Sequence, residues 1–498
     1  MTPVDALILG LYFFTLSILA IYGWHRYFLV YLYTKHRDDV PKPAGVLDPL
    51  PVVTVQLPIY NEMYVADRLI DAVGRLDYPR ELLEIQVLDD STDETRSVAE
   101  LAVRRLASLG VDAKYLHRTN RHGYKAGALA EGLRSARGEL IAIFDADFIP
   151  TPDFLRRSID HFADPKVGVV QTRWGHINQD YSLLTKVQAI LLDGHFVLEH
   201  GGRNRAGCFF NFNGTAGIWR RAAIESAGGW QHDTLTEDLD LSYRAQLCGW
   251  RFVFVPDLVS PAEVPVEMNA FKSQQHRWAK GSIQTCRKLL PALLQADLPF
   301  VVKAEAFFHL TANLNYPLMT LLSLLMFPAM YVRYSGGWTE MLLIDVPFFV
   351  AATASVFYFY TVSQREIYAD WRTRLKYLPL LMAIGIGLSI NNTKAVFEAL
   401  FNHESEFSRT PKYGVERTGD DWMGKKYRQL MVVQPFLELA LGLYFTGTVF
   451  YALANQIYAS LPFLVLFQAG FLYTGLLSIV QQYGSDLILR DAPAVSGK

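Results

Sequence analysis

Apolar stretches of membrane length bracket this chain and confine its mixed-polarity part to the middle. A bilayer core takes about 20 apolar residues as a helix. Val4 to Tyr22, extendable to Tyr33, supplies one such run; Phe300 to Tyr331, Met341 to Val362, Met431 to Leu453 and Ile457 to Val480 supply four more. The first has no basic leader and no A-x-A site behind it, so it reads as a retained span rather than a cleaved signal. Of the 498 residues 51% are hydrophobic and the mean hydropathy is +0.13, yet residues 40 to 290 have the composition of an ordinary α/β domain.

Lys and Arg placement orients the spans. Lys35 and Arg37 follow the first run and nothing basic precedes it, which puts the N-terminus outside and the large domain in the cytoplasm. Arg365, Arg372, Arg374 and Lys376, then Arg409, Lys412, Arg417, Lys425, Lys426 and Arg428, mark further inner segments. Tyr377 to Ile390 is apolar for only about 14 residues before Asn391-Asn392. A helix lying in the cytoplasmic interface keeps both basic segments on one side; a sixth crossing is the alternative. The expected layout is a transmembrane helix over 1–39, a cytosolic α/β domain over 40–268 and interfacial helices over 269–299. A transmembrane pair over 300–363, an interfacial helix and loop over 364–430, a second pair over 431–484 and a cytosolic tail over 485–498 complete an integral plasma (inner) membrane protein.

Strand and helix signals alternate through 50–260. Val52 to Leu57 is β-branched and apolar until Pro58 breaks it; Ile85 to Leu88 ends at Asp89-Asp90, and Leu140 to Phe144 ends at Asp145. Val167 to Gln171 and Phe252 to Val255 read as later strands, with helices over Asp93–Leu109 and Lys125–Ala136 between the earlier ones. Continuous apolar strands with helical crossovers predict a parallel sheet covered on both faces. Ligands of such sheets bind beyond the carboxyl ends of the strands, which gathers Tyr60, Glu62, Asp90, Asp145 and Asp147 around one crevice. A net charge of −2 offers no basic field for nucleic acid. Cys208, Cys248 and Cys286 lack any CxxC spacing, so neither zinc nor a disulfide framework is expected. The absence of GxGxxG and GxxxxGK[ST] removes the dinucleotide fingerprint and the P-loop.

Several strings carry chemistry, and each has a plainer reading. Asp145-Ala146-Asp147 at a strand end suits Mg2+ or Mn2+ shared with substrate phosphates; otherwise it is an Asx-rich loop before a helix capped by Thr151 with Pro152 at its first position. Asp89-Asp90-Ser91-Thr92 can bind a ribose or base, or Ser91 or Thr92 can cap the next helix. Thr236-Glu237-Asp238 places a carboxylate able to take a hydroxyl proton, or a Thr236 cap with acids in the first turn. Gln274-Gln275-His276-Arg277-Trp278 combines a guanidinium fork for diphosphate oxygens with an indole face for a sugar, or is an interfacial Arg/Trp anchor. Lys125 stands at an expected helix N-terminus, a natural anion site or a solvent-exposed lysine. Asn213-Gly214-Thr215 is a glycosylation sequon, idle in a cytoplasmic domain.

Taken in order, Asp90, Asp145/Asp147, Asp238 and Gln274-x-x-Arg277-Trp278 resemble the membrane-integrated family 2 glycosyltransferases, which include cellulose, chitin and hyaluronan synthases. The strings Phe212-Asn213-Gly214-Thr215-Ala216-Gly217 and Thr236-Glu237-Asp238-Leu239-Asp240-Leu241, with Gln274 to Trp278, look closer to the plant cellulose-synthase-like A proteins, β-mannan or glucomannan synthases. The resemblance implies a GT-A fold joined to about five helical spans, and an inverting hexosyltransferase using a nucleotide-diphosphate sugar with Mg2+ or Mn2+. It implies donor contacts from Pro58, Tyr60, Glu62, Asp90, Lys125, Asp145 and Arg277, and a metal held by Asp147 with Asp145. Asp238 with Glu237 would form the catalytic pair, Asp238 as base. Trp278, Gln274, Asn213, Gly214 and Thr215 would face the acceptor, and Phe407, Thr410 and Lys412 would match a gating loop. Arg409 and Pro411 depart from that loop's usual pattern, and the few residues after the last span leave no room for a cyclic-di-GMP-binding domain. The expected reaction is transfer from GDP-mannose or UDP-glucose to a growing β-glycan. Single transfer to a lipid, as in ceramide glucosyltransferases, is the alternative acceptor reading, and a transporter or receptor that only binds sugar nucleotides is the non-enzymatic one.

Overall fold

The computed structural model describes residues 2–338, 342–403, 409–427 and 433–491. A seven-stranded sheet forms the centre of the first half, in the order β3-β2-β1-β4-β6-β5-β7. Its strands are β1 Val53–Ile59, β2 Leu83–Asp89, β3 Asp112–His117, β4 Leu140–Ile143, β5 Val167–His176, β6 Gly217–Arg220 and β7 Arg251–Ala262. β1, β2 and β4 are buried at every position, which is why their sequences are unbroken apolar runs rather than alternations.

The sheet is mixed, a correction to the all-parallel expectation: β6 runs antiparallel to both β4 and β5. β6 is only four residues long and shares its apolar character with the loop before it, so no local period announces it. β3, half-buried at one edge, was equally invisible. Pro58 does not end β1; it pairs with Leu88 inside the strand. Alternate residues of a parallel strand turn their polar groups to opposite sides. Ile59 O accepts from Asp90 N on the β2 side and Gln56 O from Phe144 N on the β4 side. Pro58 therefore faces the β4 side, beyond the last paired residue of β4, where no ladder bond needs its missing N–H.

The helices that matter for the site are α1 Pro3–Lys35, α2 Thr95–Ser108, α3 Tyr124–Ser135, α4 Leu183–Gly194, α5 Glu237–Leu247 and α6 Met268–Gln295. Beyond them lie α7 Phe300–Thr311, α8 Asn315–Ser335, α9 Leu342–Ile367, α10 Leu378–Gly387, α11 Ser389–Leu400, α12 Gln434–Ala454 and α13 Leu461–Asp491. The capping expectations shift in detail. Ser91 and Thr92 both bond Asn61 at the end of β1, and Asp93 Oδ1 caps Thr95 N at 2.9 Å instead. The helix after Pro152 starts only at Phe154. Thr236 precedes α5 but makes no side-chain cap bond.

Among the described residues five helical segments are long and apolar enough to cross a membrane: Pro3–Lys35, Phe300–Ser335, Ile344–Ile367, Gln434–Ala454 and Tyr458–Tyr483. Trp371–Gly387 with Ser389–Leu400 forms a pair bent by 42° that passes the same test only when taken together. Within it Leu378, Leu381, Ile384 and Leu388 pack on Leu184, Val187 and Ile190 of α4 and on Met268 and Phe271 of α6. This bent pair is thus joined to the body that carries the sheet. Cys208, Cys248 and Cys286 are free thiols.

Candidate active site

The parallel register brings β1, β2 and β4 to a common edge, with Ile59 opposite Asp89 and Gln56 opposite Ile143. The residues just past that edge open onto a cavity of about 190 Å3. Its wall includes Pro58, Tyr60, Glu62, Asp90, Lys125, Asp145 and Asp147 from the sheet edge and α3, and Asn213 and Gly214 from the loop before β6. Glu237 and Asp238 come from the start of α5, Gln274, Arg277 and Trp278 from α6, and Arg409, Thr410 and Lys412 from the distant loop.

Two glycines show how tightly these parts meet. Gly214 has φ +79°, and a Cβ there would lie 2.9 Å from Asp238 Oδ2, so the loop can approach the carboxylate only as glycine. A Cβ on Gly281 of α6 would lie 2.5 Å from Thr236 Cγ2, so the close seat of α6 on the start of α5 also depends on glycine. That seat brings Arg277 and Trp278 to the same cavity as Asp238. Asp238 itself is oriented by its own turn, with Oδ1 accepting from Leu239 N at 2.8 Å.

The cleft crowds carboxylates. Burial and the Glu237 charge, opposed by Lys125, push the Asp238 carboxyl up to about 7. Burial also raises Glu237 and Asp145, in each case against the Lys125 charge. Burial, opposed by the Arg409 charge and aided by Asp147 and Asp145, pushes Glu62 up to about 7. Cations answer from several elements. Lys125 Nζ bonds Asp145 and, at 2.9 Å, Gly214 O. Lys412 Nζ lies 2.7 Å from Asp147 Oδ2 and also bonds Glu263 O. Arg409 lies 3.1 Å from Glu62.

Of the residues singled out from the sequence, all but two line this one cavity. Thr215 sits behind the wall, fully buried, where its hydroxyl accepts from Asp145 N at 2.8 Å; it shapes the acidic loop rather than the cavity surface. Phe407 lies outside the described residues. Asp90 is held by the Arg118 fork, through Nε at 2.7 Å and through Nη2. Lys125, at the start of α3, is drawn into the acidic cluster rather than left in solvent.

Other groups went unnoticed in the sequence. Arg121 lays its guanidinium 3.3 Å from the centre of the Tyr60 ring. Trp174 and His176 from the end of β5 and Glu263 beyond β7 also line the cavity. The basic run Arg118 to Lys125 was the available signal, but only a recognised β3 would have aimed it at the carboxyl edge. The ends of β5 and β7 were missed because both strands run on past the apolar cores that announced them.

The oxygen chemistry fits a hard divalent cation. Asp145 and Asp147 both face the cavity, while among the described residues no group of three or more His, Cys, Asp or Glu side chains could hold a metal alone. That is the arrangement Mg2+ or Mn2+ uses when substrate phosphates complete its shell.

Residues 51–281 match the family model described as glycosyltransferase like family 2. Over 250 residues the chain is 47% identical to glucomannan 4-beta-mannosyltransferase 2 of Arabidopsis thaliana, covering 49% of this chain and 47% of the relative. Over 263 residues it is 44% identical to glucomannan 4-beta-mannosyltransferase 1 of Oryza sativa subsp. japonica, covering 52% and 50%. The match thus spans about half the length of these curated relatives. A mannosyltransferase from Pyrobaculum calidifontis, solved in complex with GDP-Man and Mn2+, superposes with a TM-score of 0.52 at 24% identity, covering 78% of this chain and 100% of that one. Residues 51–281 are a glycosyltransferase family 2 domain with a GT-A fold.

Proposed function

We propose that this protein is an inverting hexosyltransferase that adds sugar from a nucleotide-diphosphate donor, GDP-mannose first among them, to a growing β-glycan. The observation that carries the reading is the meeting of Asp145, Asp147, Asp238, Arg277 and Trp278 in one cleft. The likeness to mannosyltransferases supports mannose as the sugar. The run of apolar helices after the domain supports synthesis at a membrane, with the N-terminus outside and the cleft in the cytoplasm by the Lys/Arg pattern.

Each group has a task the geometry suits. Tyr60, Glu62 and Asp90 meet the nucleotide end of the donor, and Arg277 and Lys125 meet its diphosphate. A divalent ion bound at Asp145 and Asp147 would supply positive charge to the leaving diphosphate. Trp278 offers its face to the acceptor sugar. Asp238 Oδ2 takes the proton of the acceptor hydroxyl as that oxygen bonds to the anomeric carbon, and the diphosphate leaves with the electron pair of the broken bond. Attack from the side opposite the leaving group inverts the anomeric centre. Repeated transfer with the product passing between the helices makes the enzyme processive.

The test is incubation of purified protein with labelled GDP-mannose and UDP-glucose in Mn2+ or Mg2+, followed by linkage and size analysis of the product. Long β-linked polymer is expected. A single glycolipid would replace the glycan acceptor with a lipid, and binding without any turnover would leave only a sugar-nucleotide receptor.

A further inference from the structure

Behind the acceptor side of the cleft lies a polar relay, half-buried at His195 and Glu199 and buried at Arg203, that none of the motifs contains. His195–His200 continues α4 as a π-helix, a rare winding that tends to mark functional sites. His195 Nδ1 lies 2.8 Å from Glu199 Oε2. Glu199 also faces Arg203 Nη1 at 3.5 Å, and Arg203 Nε donates to Glu305 Oε2 of α7 at 3.3 Å. Although burial opposes it, the His195 hydrogen bond and the Arg203 charge hold the Glu199 carboxyl well below the usual range. Glu199 is therefore an ionised, acceptor-only partner.

The amide of Asn213 turns its Nδ2, not its Oδ1, toward His195 Nε2 at 2.9 Å. Nε2 therefore accepts, and the ring gives its Nδ1–H to Glu199. Its Oδ1 is then left buried behind the cleft wall without a partner among the described residues, an orphaned acceptor that a small shift of that wall on sugar binding would satisfy. The backbone cannot swing away, because Asn213 N donates to Gln171 Oε1 at 3.0 Å and His200 Nε2 donates to Asn211 O at 2.9 Å. The one remaining freedom is rotation of the amide, and His195 sets it. Asn213 lines the cleft next to Gly214, which abuts Asp238.

We propose that His195 is a positioning residue for the acceptor: by fixing the Asn213 amide it offers a carbonyl oxygen, not an NH2 group, to a hydroxyl of the incoming sugar beside Asp238. The inference rests on the hexosyltransferase reading and goes beyond it by assigning the relay from Arg203 through Glu199 and His195 to acceptor capture. Its failure signature is specific. A donor sugar that finds no well-held acceptor is lost to water, so faulty positioning shifts consumed donor from glycan to free sugar without weakening donor binding.

The experiment uses the full chain in detergent with Mn2+ and whichever of GDP-mannose or UDP-glucose the parent protein consumes. The readouts are the fraction of consumed donor recovered as free sugar and the donor KM. H195F and N213A should each raise the free-sugar fraction about 5- to 10-fold, with the double variant no worse than either and the donor KM within about twofold. H195Q, whose side-chain oxygen reaches the place of Nε2, should restore most of the partition. E199Q, which removes the demand for the Nδ1–H form, should share the defect and have no effect in the N213A background; it carries the comparison if H195F does not fold. Additive losses in the double variant, a donor KM that rises with the partition, or an unchanged partition in H195F and E199Q would overturn the proposal. A parent protein that consumes neither nucleotide sugar brings down the hexosyltransferase reading itself.

Discussion

Two parts of this molecule bury charge, and they do it in opposite ways. In the helical half two fully buried cations, Lys272 and Arg333, each meet one carboxylate. Lys272 of α6 and Glu438 of α12 are both fully buried against each other, and Lys272 Nζ also donates to Ser478 Oγ at 2.7 Å. Arg333 of α8 lies 2.7 Å from Asp345 of α9, which also accepts from Tyr12 OH of α1 at 2.9 Å. Such pairs pin helix to helix. In the cleft, carboxylates from β1, β4 and α5 crowd together and are answered by cations from a different set of elements, among them Lys412 reaching Asp147 across 265 residues of sequence. Burial raises Asp238 and Glu62 to about 7 there. The difference is between charge arranged to hold structure and charge arranged to be rearranged by a ligand.

The sharpest way to test that difference is to remove one group from each kind. Asp238→Asn should lower transfer by about 10³- to 10⁴-fold, the upper part of the range for a positioned base. Donor binding and the unfolding temperature should stay close to those of the parent, because the lost carboxylate is one that burial disfavours. Full activity in this variant would remove Asp238 from the role of base. Lys272→Met should do the reverse. Breaking a buried pair costs about 3–5 kcal/mol, read as a fall in unfolding temperature in detergent, while the folded fraction keeps its donor KM. Lys272→Met with Glu438→Leu should recover much of that loss.

A smaller effect separates the cleft's own cations. Lys412→Met frees Asp147 from an ammonium and should tighten donor-free Mn2+ binding about 3- to 10-fold, on the scale of one screened charge contact. Electron paramagnetic resonance of the unbound ion reads this directly, and unchanged binding would mean that Lys412 does not compete for the site. The smallest expected change is in pH response. A base must be ionised to act, and burial with the Glu237 charge raises Asp238 to about 7, so kcat/KM should climb with pH through that region. Glu237→Gln removes the like charge and should move this acid limb to lower pH by about one unit. A limb that stays put would show that Glu237 does not act on Asp238.

Much of the cleft was legible from local pattern. The ends of β1, β2 and β4 could be read because unbroken apolar runs stop at polar residues, and the carboxyl-edge rule then gathered Tyr60, Glu62, Asp90, Asp145 and Asp147. Pro58 was misread because its tolerance depends on β4 having already ended beside it. Thr215 stood inside a motif but turns to the backbone of Asp145. Arg118, Arg121 and Glu263 were passed over because nothing in their own neighbourhoods says what they face. His195 and Glu199 read as one turn of an apolar helix until the π-helical winding and Asn213 are seen together.

The amino-acid sequence by itself determined the division into apolar spans and an α/β body, the strand ends that carry the acids, and the short strings that carry the chemistry, because each is a matter of period and composition over a few residues. Only the tertiary structure decided the antiparallel β6, the pairing of Lys412 with Asp147 and Arg409 with Glu62, and the polarity of the Asn213 amide. Those depend on partners distant along the chain, whose meeting is set by the packing of whole helices on the sheet and not by any local preference.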